Sequence, residues 1–219
     1  MNRQQTVQRM CEKGIIAVVR ADSSDQLLQV GEALLAGGVE CIEITMTTPN
    51  ALEVIAACRK QLGDEALIGV GSVTSAVVAN QAIDAGAQYV VCPIFKTEII
   101  GAAHRAEVPC LPGAFTPTEI ITATDHGADM VKVFPAGRLG PKFFKDVLAP
   151  LPHLKLTPTG GVNLDTAAEF IQAGAVTLGV GSAMVPKAAV AAGDFAQITD
   201  LAGRYVQIVA DARGGGKAH

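Results

Sequence analysis

A lysine stands inside an apolar, β-branched segment of the chain, Met130-Val131-Lys132-Val133-Phe134-Pro135. Side chains alternate along a strand, so Lys132 points into the interior of the sheet if the two valines pack against surrounding helices. Burying an ammonium group is unfavourable unless the group is paired or loses its proton. A neutral lysine is a nucleophile toward carbonyl carbon, so the segment indicates Schiff-base chemistry, with a structural salt bridge as the alternative.

A glutamate occupies the same kind of position in Cys41-Ile42-Glu43-Ile44-Thr45. With Ile42 and Ile44 facing helices, Glu43 faces inward and meets Lys132 from a different strand. A carboxylate beside a nucleophilic amine favours general acid–base catalysis, and the alternative is a buried ion pair that only fixes the core. Lys155 also lies in an apolar run, but at its start, so we expect it at the opposite end of the strands.

Two glycine-containing segments, Pro158-Thr159-Gly160-Gly161 and Gly179-Val180-Gly181-Ser182, end the last two apolar runs. Glycines let backbone N–H groups approach an anion, and the Thr159 and Ser182 hydroxyls add donors. Neither loop carries Lys or Arg, so backbone amides and the electric field at the N-terminus of the following helix would hold a phosphate dianion. Tight structural turns are the alternative.

Further polar side chains fall near the ends of other runs. Arg20 ends the first run and could bind a carboxylate bidentately, and Ser72 follows the third run, although each alone is more simply structural. None of the four histidines is placed where these residues converge, so no metal site is predicted.

The elements that must position these residues alternate regularly. Eight apolar runs are typical of strands: Gly14–Arg20, Cys41–Met46, Leu67–Gly71, Tyr89–Pro93, Val108–Leu111, Asp129–Phe134, Leu154–Thr159 and Val176–Gly181. Helical patterns lie between them: Ser24–Ala36, Ala51–Gln61, Ala76–Ala85, Thr97–His104, Pro117–Asp125, Pro141–Leu148 and Leu164–Ala173.

This alternation predicts an α/β fold, a (β/α)₈ TIM barrel with an extra N-terminal helix over about Asn2–Glu12, in preference to a doubly wound sheet. We expect one barrel domain over residues 1–213 and a flexible C-terminal tail over 214–219. In such barrels the active site lies at the carboxyl ends of the strands.

The composition excludes several classes of function. Of the 219 residues, 49% are hydrophobic and 17% charged, which suits a large core and argues against disorder. The net charge of −4, the absence of a basic run and the 4% aromatic content without Trp argue against nucleic-acid binding. A polar N-terminus and the lack of a bilayer-length apolar run predict a cytoplasmic protein with no membrane partner.

Taken together, these motifs resemble the 2-keto-3-deoxy-6-phosphogluconate (KDPG) / 4-hydroxy-2-oxoglutarate (KHG) aldolase family over nearly the whole chain. The matching segments are Gly37–Thr45, Gly69–Val73, Val131–Pro135, Pro158–Val162 and Gly179–Ser182. The resemblance implies a class I aldolase that forms pyruvate without a cofactor, as a homotrimer acting on a small 2-keto acid, phosphorylated or not.

The resemblance also assigns residues. Lys132 matches the family's Schiff-base lysine and Glu43 its proton-shuttling glutamate. The other matches are the phosphate site, Thr159, Gly160, Gly161, Gly181 and Ser182, and the positions lining the pyruvate pocket, Pro93 and Phe134. Many members carry Arg where this chain has Thr47, so Arg20 could take over the substrate carboxylate, and Ser72 replaces a frequent Thr. Rival interpretations are a phosphate-binding barrel isomerase or epimerase and a non-catalytic barrel scaffold.

Overall fold

The computed structural model describes residues 1–20 and 24–214, which form short parallel strands alternating with helices. The strands are β1 (Ile15–Val19), β2 (Cys41–Thr45), β3 (Leu67–Gly71), β4 (Val90–Val91), β5 (Cys110–Leu111), β6 (Gly113–Ala114), β7 (Val131–Val133), β8 (Leu156–Pro158) and β9 (Leu178–Val180). The helices are α1 (Arg3–Lys13), α2 (Ser24–Ala36), α3 (Ala51–Leu62), α4 (Ala76–Asp84), α5 (Thr97–Arg105), α6 (Pro117–Asp125), α7 (Gly140–Leu148), α8 (Ala167–Gln172), α9 (Lys187–Ala192) and α10 (Phe195–Gly214), with a 3₁₀ turn at Ala136–Arg138.

The strands curl into a barrel in chain order. Six pair in the order β5-β4-β3-β2-β1-β9 and three in the order β6-β7-β8. A parallel bridge between Thr159 and Gly179 joins β8 to β9, and Pro112 connects β5 directly to β6. The (β/α)₈ prediction is therefore confirmed, with the fifth barrel strand divided in two.

Proline accounts for the division of the fifth strand. Pro112 has no N–H to donate to a ladder. Its carbonyl still accepts a hydrogen bond from the Lys132 backbone N–H at 2.9 Å, so the barrel stays connected at this point. The predicted run Val108–Leu111 ended before β6, and the structure extends the fifth strand position to Ala114.

Two hydrophobic cores follow from side-chain alternation. Ile42, Ile44, Val131 and Val133 belong to the large core between the strands and the surrounding helices. A smaller cluster fills the barrel interior: Val7, Met10, Ile16, Cys41, Leu67, Tyr89, Val91, Leu111 and Met130. Val7 and Met10 come from α1, so the extra N-terminal helix closes the end of the barrel opposite the carboxyl ends of the strands. Each buried aliphatic side chain contributes about 1.5–3 kcal/mol to folding.

The C-terminal helix α10 was not predicted from the sequence. Its Ile198, Ala202, Tyr205 and Val209 repeat at helical spacing and are buried. At its last turn Arg213 donates hydrogen bonds to the carbonyls of Cys11 and Glu12 at 2.7 Å and of Val176 at 2.8 Å. The guanidinium thereby ties α10 to the end of α1 and to the segment before β9.

Several predicted boundaries differ from the observed ones. Most strands are shorter than the apolar runs, although β3 equals its run and the fifth strand extends beyond its own, and α8 begins at Ala167 instead of Leu164. The reason at α8 is Asn163, whose side-chain oxygen accepts from the backbone of Asp165 and Thr166 at 3.0 Å and holds a turn before the helix.

The two ends of the chain bear on the predicted domain limits. Gly214, which the sequence placed in a flexible tail, is the last residue of α10, and residues 215–219 of that tail lie outside the described residues. Within residues 1–20 and 24–214 no helix is long and apolar enough to cross a membrane.

Candidate functional site

Two opposed charges lie buried at the carboxyl end of the barrel. Lys132 on β7 and Glu43 on β2 keep only 6% and 2% of their surfaces exposed. Lys132 Nζ lies 3.9 Å from Glu43 Oε1, too far for a hydrogen bond but close enough for strong charge attraction. Oε1 accepts no hydrogen bond from any group in the described part of the chain. A buried carboxylate oxygen without a donor is unfavourable for folding and is available to a substrate hydroxyl or a water.

Glycines on β3 make room for the two layers of the barrel interior. Glu43 pairs in register with Gly69, and Thr45 with Gly71. A methyl group added at Gly71 would overlap the Glu43 carboxylate, and one added at Gly69 would overlap the Tyr89 ring. The Glu43 carboxylate therefore lies over Gly71, one layer above the Tyr89 ring.

Tyr89 forms the floor beneath the glutamate. Its side chain is fully buried, and its hydroxyl bonds to no described group. Burial, together with the nearby Cys41 and Glu43, raises the pKa of Tyr89 well above its usual range, so the phenol stays neutral.

An aromatic ring stands beside the lysine. The Phe134 ring centroid is 5.3 Å from Lys132 Nζ, within the range of a cation–π contact. The ring also lies against Gly160, where an added methyl group would come within 3.2 Å of it. Phe134 is 40% exposed, so it forms part of the cavity wall between the lysine and the glycine turn.

All predicted site residues except Thr47 line one cavity of about 560 Å³ at this end of the barrel. The lining residues are Val18, Arg20, Glu43, Ser72, Pro93, Lys132, Phe134, Thr159, Gly160, Gly161, Val162, Asn163, Gly179, Gly181, Ser182, Ala183, Val185 and Lys187. A cavity of this size suits a small organic acid.

The glycine turn after β8 depends on glycine at two positions. Gly160 and Gly161 have φ of 80° and 85°, which side chains rarely adopt. The Gly160 carbonyl accepts a hydrogen bond from Gly137 N at 2.7 Å, and a methyl at Gly161 would lie 2.7 Å from the Gly137 Cα. The turn thus packs closely against the turn that follows β7, which brings its backbone beside the lysine strand.

Gly181, after β9, is different. Its φ is not in the left-handed region, and an added methyl would meet only ordinary contacts with Val18 at 3.8–3.9 Å. The backbone N–H groups of Met184 and Val185 both bond to the Gly181 carbonyl, at 2.9 and 3.0 Å, so the segment turns back over the cavity. Ser182 is exposed on this turn.

Thr47 does not join the main cavity. It lies in an adjoining cavity of about 540 Å³, which also has Arg20 and Lys187 in its lining. The Thr47 hydroxyl is 2.7 Å from that of Thr45, so the two threonines form a local hydrogen bond after β2. Arg20 therefore borders both cavities, whereas Thr47 borders one.

Ser72 takes a left-handed backbone conformation with φ of 61° at the edge of the cavity. This conformation is uncommon for residues other than glycine, and a β-branched residue would adopt it less readily than serine.

Sequence reasoning missed Lys187, the first residue of α9, because neither α9 nor the fold of the preceding turn was predicted. Lys187 follows Ser182 by five positions and lines the cavity with it. A signal was present in Val185-Pro186-Lys187, where proline precedes a run of alanines typical of a helix start.

Within residues 1–20 and 24–214, no group of three or more His, Cys, Asp or Glu side chains could hold a metal ion. His104 is instead hydrogen-bonded through Nε2 to Asp129 at 3.0 Å. Lys155 lies in a separate cavity with Arg3, Cys11 and Asp129, beside α1 at the closed end of the barrel.

Known proteins resemble this chain over most of its length. A family model described as KDPG and KHG aldolase matches residues 7–201. The 2-dehydro-3-deoxy-phosphogluconate aldolase of Treponema pallidum (strain Nichols) is 39% identical over 196 residues, 89% of this chain and 93% of that protein. The KHG/KDPG aldolase of Escherichia coli (strain K12) is 30% identical over 194 residues, 88% of this chain and 91% of that protein.

A solved structure is similar in fold. The KDPG aldolase of Legionella pneumophila, with pyruvate captured at low pH as a covalent carbinolamine intermediate, has a TM-score of 0.82 and 29% identity. The match covers 87% of this chain and 92% of that one.

Proposed function

Because this chain belongs to the family of KDPG and KHG aldolases, we propose that it is a class I aldolase that releases pyruvate from a 2-keto acid. The substrate would be 2-keto-3-deoxy-6-phosphogluconate, giving pyruvate and glyceraldehyde 3-phosphate, and/or 4-hydroxy-2-oxoglutarate, giving pyruvate and glyoxylate. The observation that carries the proposal is the buried pair of Lys132 and Glu43 in the cavity, with Lys132 Nζ 3.9 Å from Glu43 Oε1.

Lys132 supplies the nucleophile. Its Nζ attacks the C2 carbonyl carbon of the substrate, and loss of water from the carbinolamine leaves an iminium. The burial of Lys132 limits the access of bulk water to the amine, and the barrel strand holds the amine in one place. The Phe134 ring, 5.3 Å from Nζ, can stabilise the cationic iminium that replaces the ammonium.

Glu43 moves the protons. Its carboxylate, directly or through a water, accepts the proton of the C4 hydroxyl. The C3–C4 bond then breaks, its electron pair enters the iminium to form an enamine, and the aldehyde leaves. Protonation at C3 and hydrolysis of the resulting iminium release pyruvate and restore the free lysine.

The remaining lining residues would hold the ends of the substrate. The C1 carboxylate fits the Arg20 guanidinium and the Ser72 hydroxyl, with Thr47 outside the main cavity. Pro93 and Phe134 would form the apolar wall around the pyruvate portion. A phosphate would bind at Thr159, Gly160, Gly161, Gly181 and Ser182. A cytoplasmic location is part of the proposal, since phosphorylated acids do not cross membranes freely.

We propose a homotrimer as the working form. Large apolar side chains follow neighbouring barrel strands at the same end of the molecule: Val77, Ile94 and Phe115, exposed by 66%, 43% and 39%. Such exposure supports burial of this face against other copies. Sedimentation equilibrium should give three times the chain mass of 22.5 kDa, and a concentration-independent monomer would contradict it.

Borohydride trapping tests the chemistry. Borohydride should reduce the imine formed with pyruvate and leave a 1-carboxyethyl group on Lys132 Nζ, and a Lys132→Met variant should take up none. Lys155, at the closed end of the barrel, is the matched internal control and should stay unlabelled. A panel of 2-keto acids assayed for pyruvate release then ranks the substrates. Absence of label on any lysine, with turnover of a sugar phosphate isomer instead, would favour an isomerase or epimerase, and absence of both would favour a scaffold.

A further inference from the structure

Lys187 stands out among the cationic residues because the proposed mechanism gives it no task. It is exposed at the start of α9 and lines the main cavity together with Gly181 and Ser182. The turn that carries it is fixed, since the Gly181 carbonyl accepts from both Met184 and Val185 and Met184 is fully buried. The position of the lysine backbone is therefore set by the same turn that would receive a phosphate.

The charges lining the cavity do not balance. In the described part of the chain they are Arg20, Glu43, Lys132 and Lys187. Lys132 and Glu43 offset each other across 3.9 Å, which leaves Arg20 and Lys187 without a carboxylate in that lining. No ion pair links either residue to another described side chain. These two cations, which have no carboxylate among the described lining residues and which both also line the adjoining cavity with Thr47, suit an anionic ligand.

We propose that Lys187 is a specificity-determining residue that favours phosphorylated substrates by contacting their phosphate group. This inference rests on the proposed function and deepens it, because a phosphorylated 2-keto acid has a carboxylate at one end and a phosphate at the other. Arg20, at the end of β1, takes the carboxylate. Lys187 is on the segment of Ser182 and takes the phosphate, as a mobile point charge added to the backbone donors of the turn.

The location of the lysine explains how it can discriminate without entering the chemistry. It is five residues beyond Ser182 and exposed, so its ammonium stays hydrated and can follow a phosphate entering or leaving the cavity. A charge of this kind changes substrate affinity and its salt dependence, and leaves bond cleavage at Lys132 unaltered.

The test compares Lys187→Gln with the unaltered enzyme on a phosphorylated and an unphosphorylated ligand. KM for 2-keto-3-deoxy-6-phosphogluconate should rise about five- to tenfold, the size expected for one partly screened charge on a phosphate. Turnover at saturation should stay within about twofold, and so should the pyruvate concentration that gives half-maximal borohydride trapping at Lys132. Raising ionic strength should increase KM less in the variant than in the unaltered enzyme.

Two further variants sharpen the comparison. Lys187→Arg keeps the charge and should restore most of the affinity. Lys60→Gln removes an exposed lysine from the last turn of α3, away from the cavity, and should leave KM unchanged.

Distinct results separate this inference from the proposed function. If Lys187→Gln leaves KM for the phosphorylated acid unchanged, or weakens the binding of pyruvate by the same factor, the lysine does not recognise phosphate. The inference is then overturned, while the proposed aldolase activity is unaffected. If the unaltered enzyme neither traps pyruvate at Lys132 nor cleaves the phosphorylated acid, the proposed function itself fails.

Discussion

Glu43 and Lys132 are separated by 89 positions in the chain and by 3.9 Å in space, where Glu43 Oε1 faces Lys132 Nζ. They enter the barrel from β2 and β7, strands that do not pair with each other. Replacing one by a neutral residue leaves the other as an uncompensated buried charge. Variants at this couple therefore need both an activity and a stability measurement.

Glu43→Gln removes the proton-accepting charge and keeps the side-chain shape. Turnover should fall by roughly two to four orders of magnitude, the usual contribution of general acid–base catalysis. Borohydride trapping of pyruvate should continue at a reduced rate, since Lys132 is retained. Steady-state kinetics with the best 2-keto acid decides the matter, and turnover close to that of the unaltered enzyme would make Glu43 a structural partner only.

Glu40 offers a matched control three positions earlier, just before β2. It pairs with Arg9 at 2.8 Å and with Lys13, and lies away from the cavity. Burial alone would raise the pKa of Glu40, but the hydrogen bonds and charges of Lys13 and Arg9 outweigh it and lower the pKa below its ordinary value of 4.5. A carboxyl group whose pKa is lowered in the folded state stabilises the fold at pH values above its unfolded-state pKa. This stabilisation is lost as pH falls through the folded-state pKa.

Glu40→Gln should therefore lower the melting temperature at neutral pH and leave turnover unchanged. The difference in melting temperature between the variant and the unaltered enzyme should shrink as pH falls below the unfolded-state pKa, because the Glu40 carboxyl of the unaltered enzyme then also becomes neutral. Thermal unfolding across an acid series measures this, and a difference that grows toward acid would contradict the assignment.

Gly71→Ala tests whether Glu43 must occupy its observed position. The added methyl would overlap the Glu43 carboxylate, so the side chain has to move away from Lys132. We expect turnover to fall by about tenfold or more, approaching the loss from removing the base itself. The same substitution at Gly101, inside α5 with ordinary space around it, is the control and should leave turnover unchanged and raise stability by about 0.5–1 kcal/mol. Full activity in Gly71→Ala would show that the carboxylate position is not critical.

Local patterns in the sequence were sufficient to predict the inward direction of Glu43 and Lys132. Alternation of Ile42 with Ile44, and of Val131 with Val133, fixes which face packs on helices, and both pairs lie in the outer core. The same patterns could not give the 3.9 Å separation, because that distance depends on the curvature of a barrel whose closing strands pair through Thr159 and Gly179.

Other features depend on contacts between distant segments and have no local signature. Gly71 looks like any strand glycine until the register of β2 with β3 places it beneath a carboxylate. The sequence around Lys187 is typical of a surface lysine, and only the turn at Gly181 places this residue in the lining of the cavity. The sequence analysis considered only the two loops, neither of which carries Lys or Arg, and so did not identify Lys187, which lies just beyond one of them and lines the same cavity.

Gly181→Asp tests the phosphate role of the turn after β9. The position has ordinary backbone geometry and room for a Cβ, so Gly181→Ala is a fair steric control. The aspartate places a like charge beside Ser182, and KM for a phosphorylated 2-keto acid should rise by roughly ten- to a hundredfold, as for loss of one charge-assisted hydrogen bond. KM for 4-hydroxy-2-oxoglutarate should change far less. Equal losses on both substrates would mean that the turn only supports the barrel. Ser182→Ala should give a smaller loss, because the backbone donors remain.

Arg213→Ala tests the closure of the barrel by α1 and α10. The guanidinium donates to the carbonyls of Cys11, Glu12 and Val176 at 2.7–2.8 Å, and the first two are carbonyls from the end of α1. Loss of these bonds should lower the free energy of unfolding by about 1–2 kcal/mol, since exposure to water limits each one. The melting temperature should fall by about 2–8 °C, and turnover at low temperature should not change because the contacts lie at the closed end of the barrel.

Arg204→Ala is the control on the same helix. It loses only an exposed contact with Asp200 at 3.9 Å and should cost less than half as much. If the two variants melt alike, Arg213 does not fasten the helices together, and the other contacts of α10 hold it in place, among them the packing of Ile198, Tyr205 and Val209.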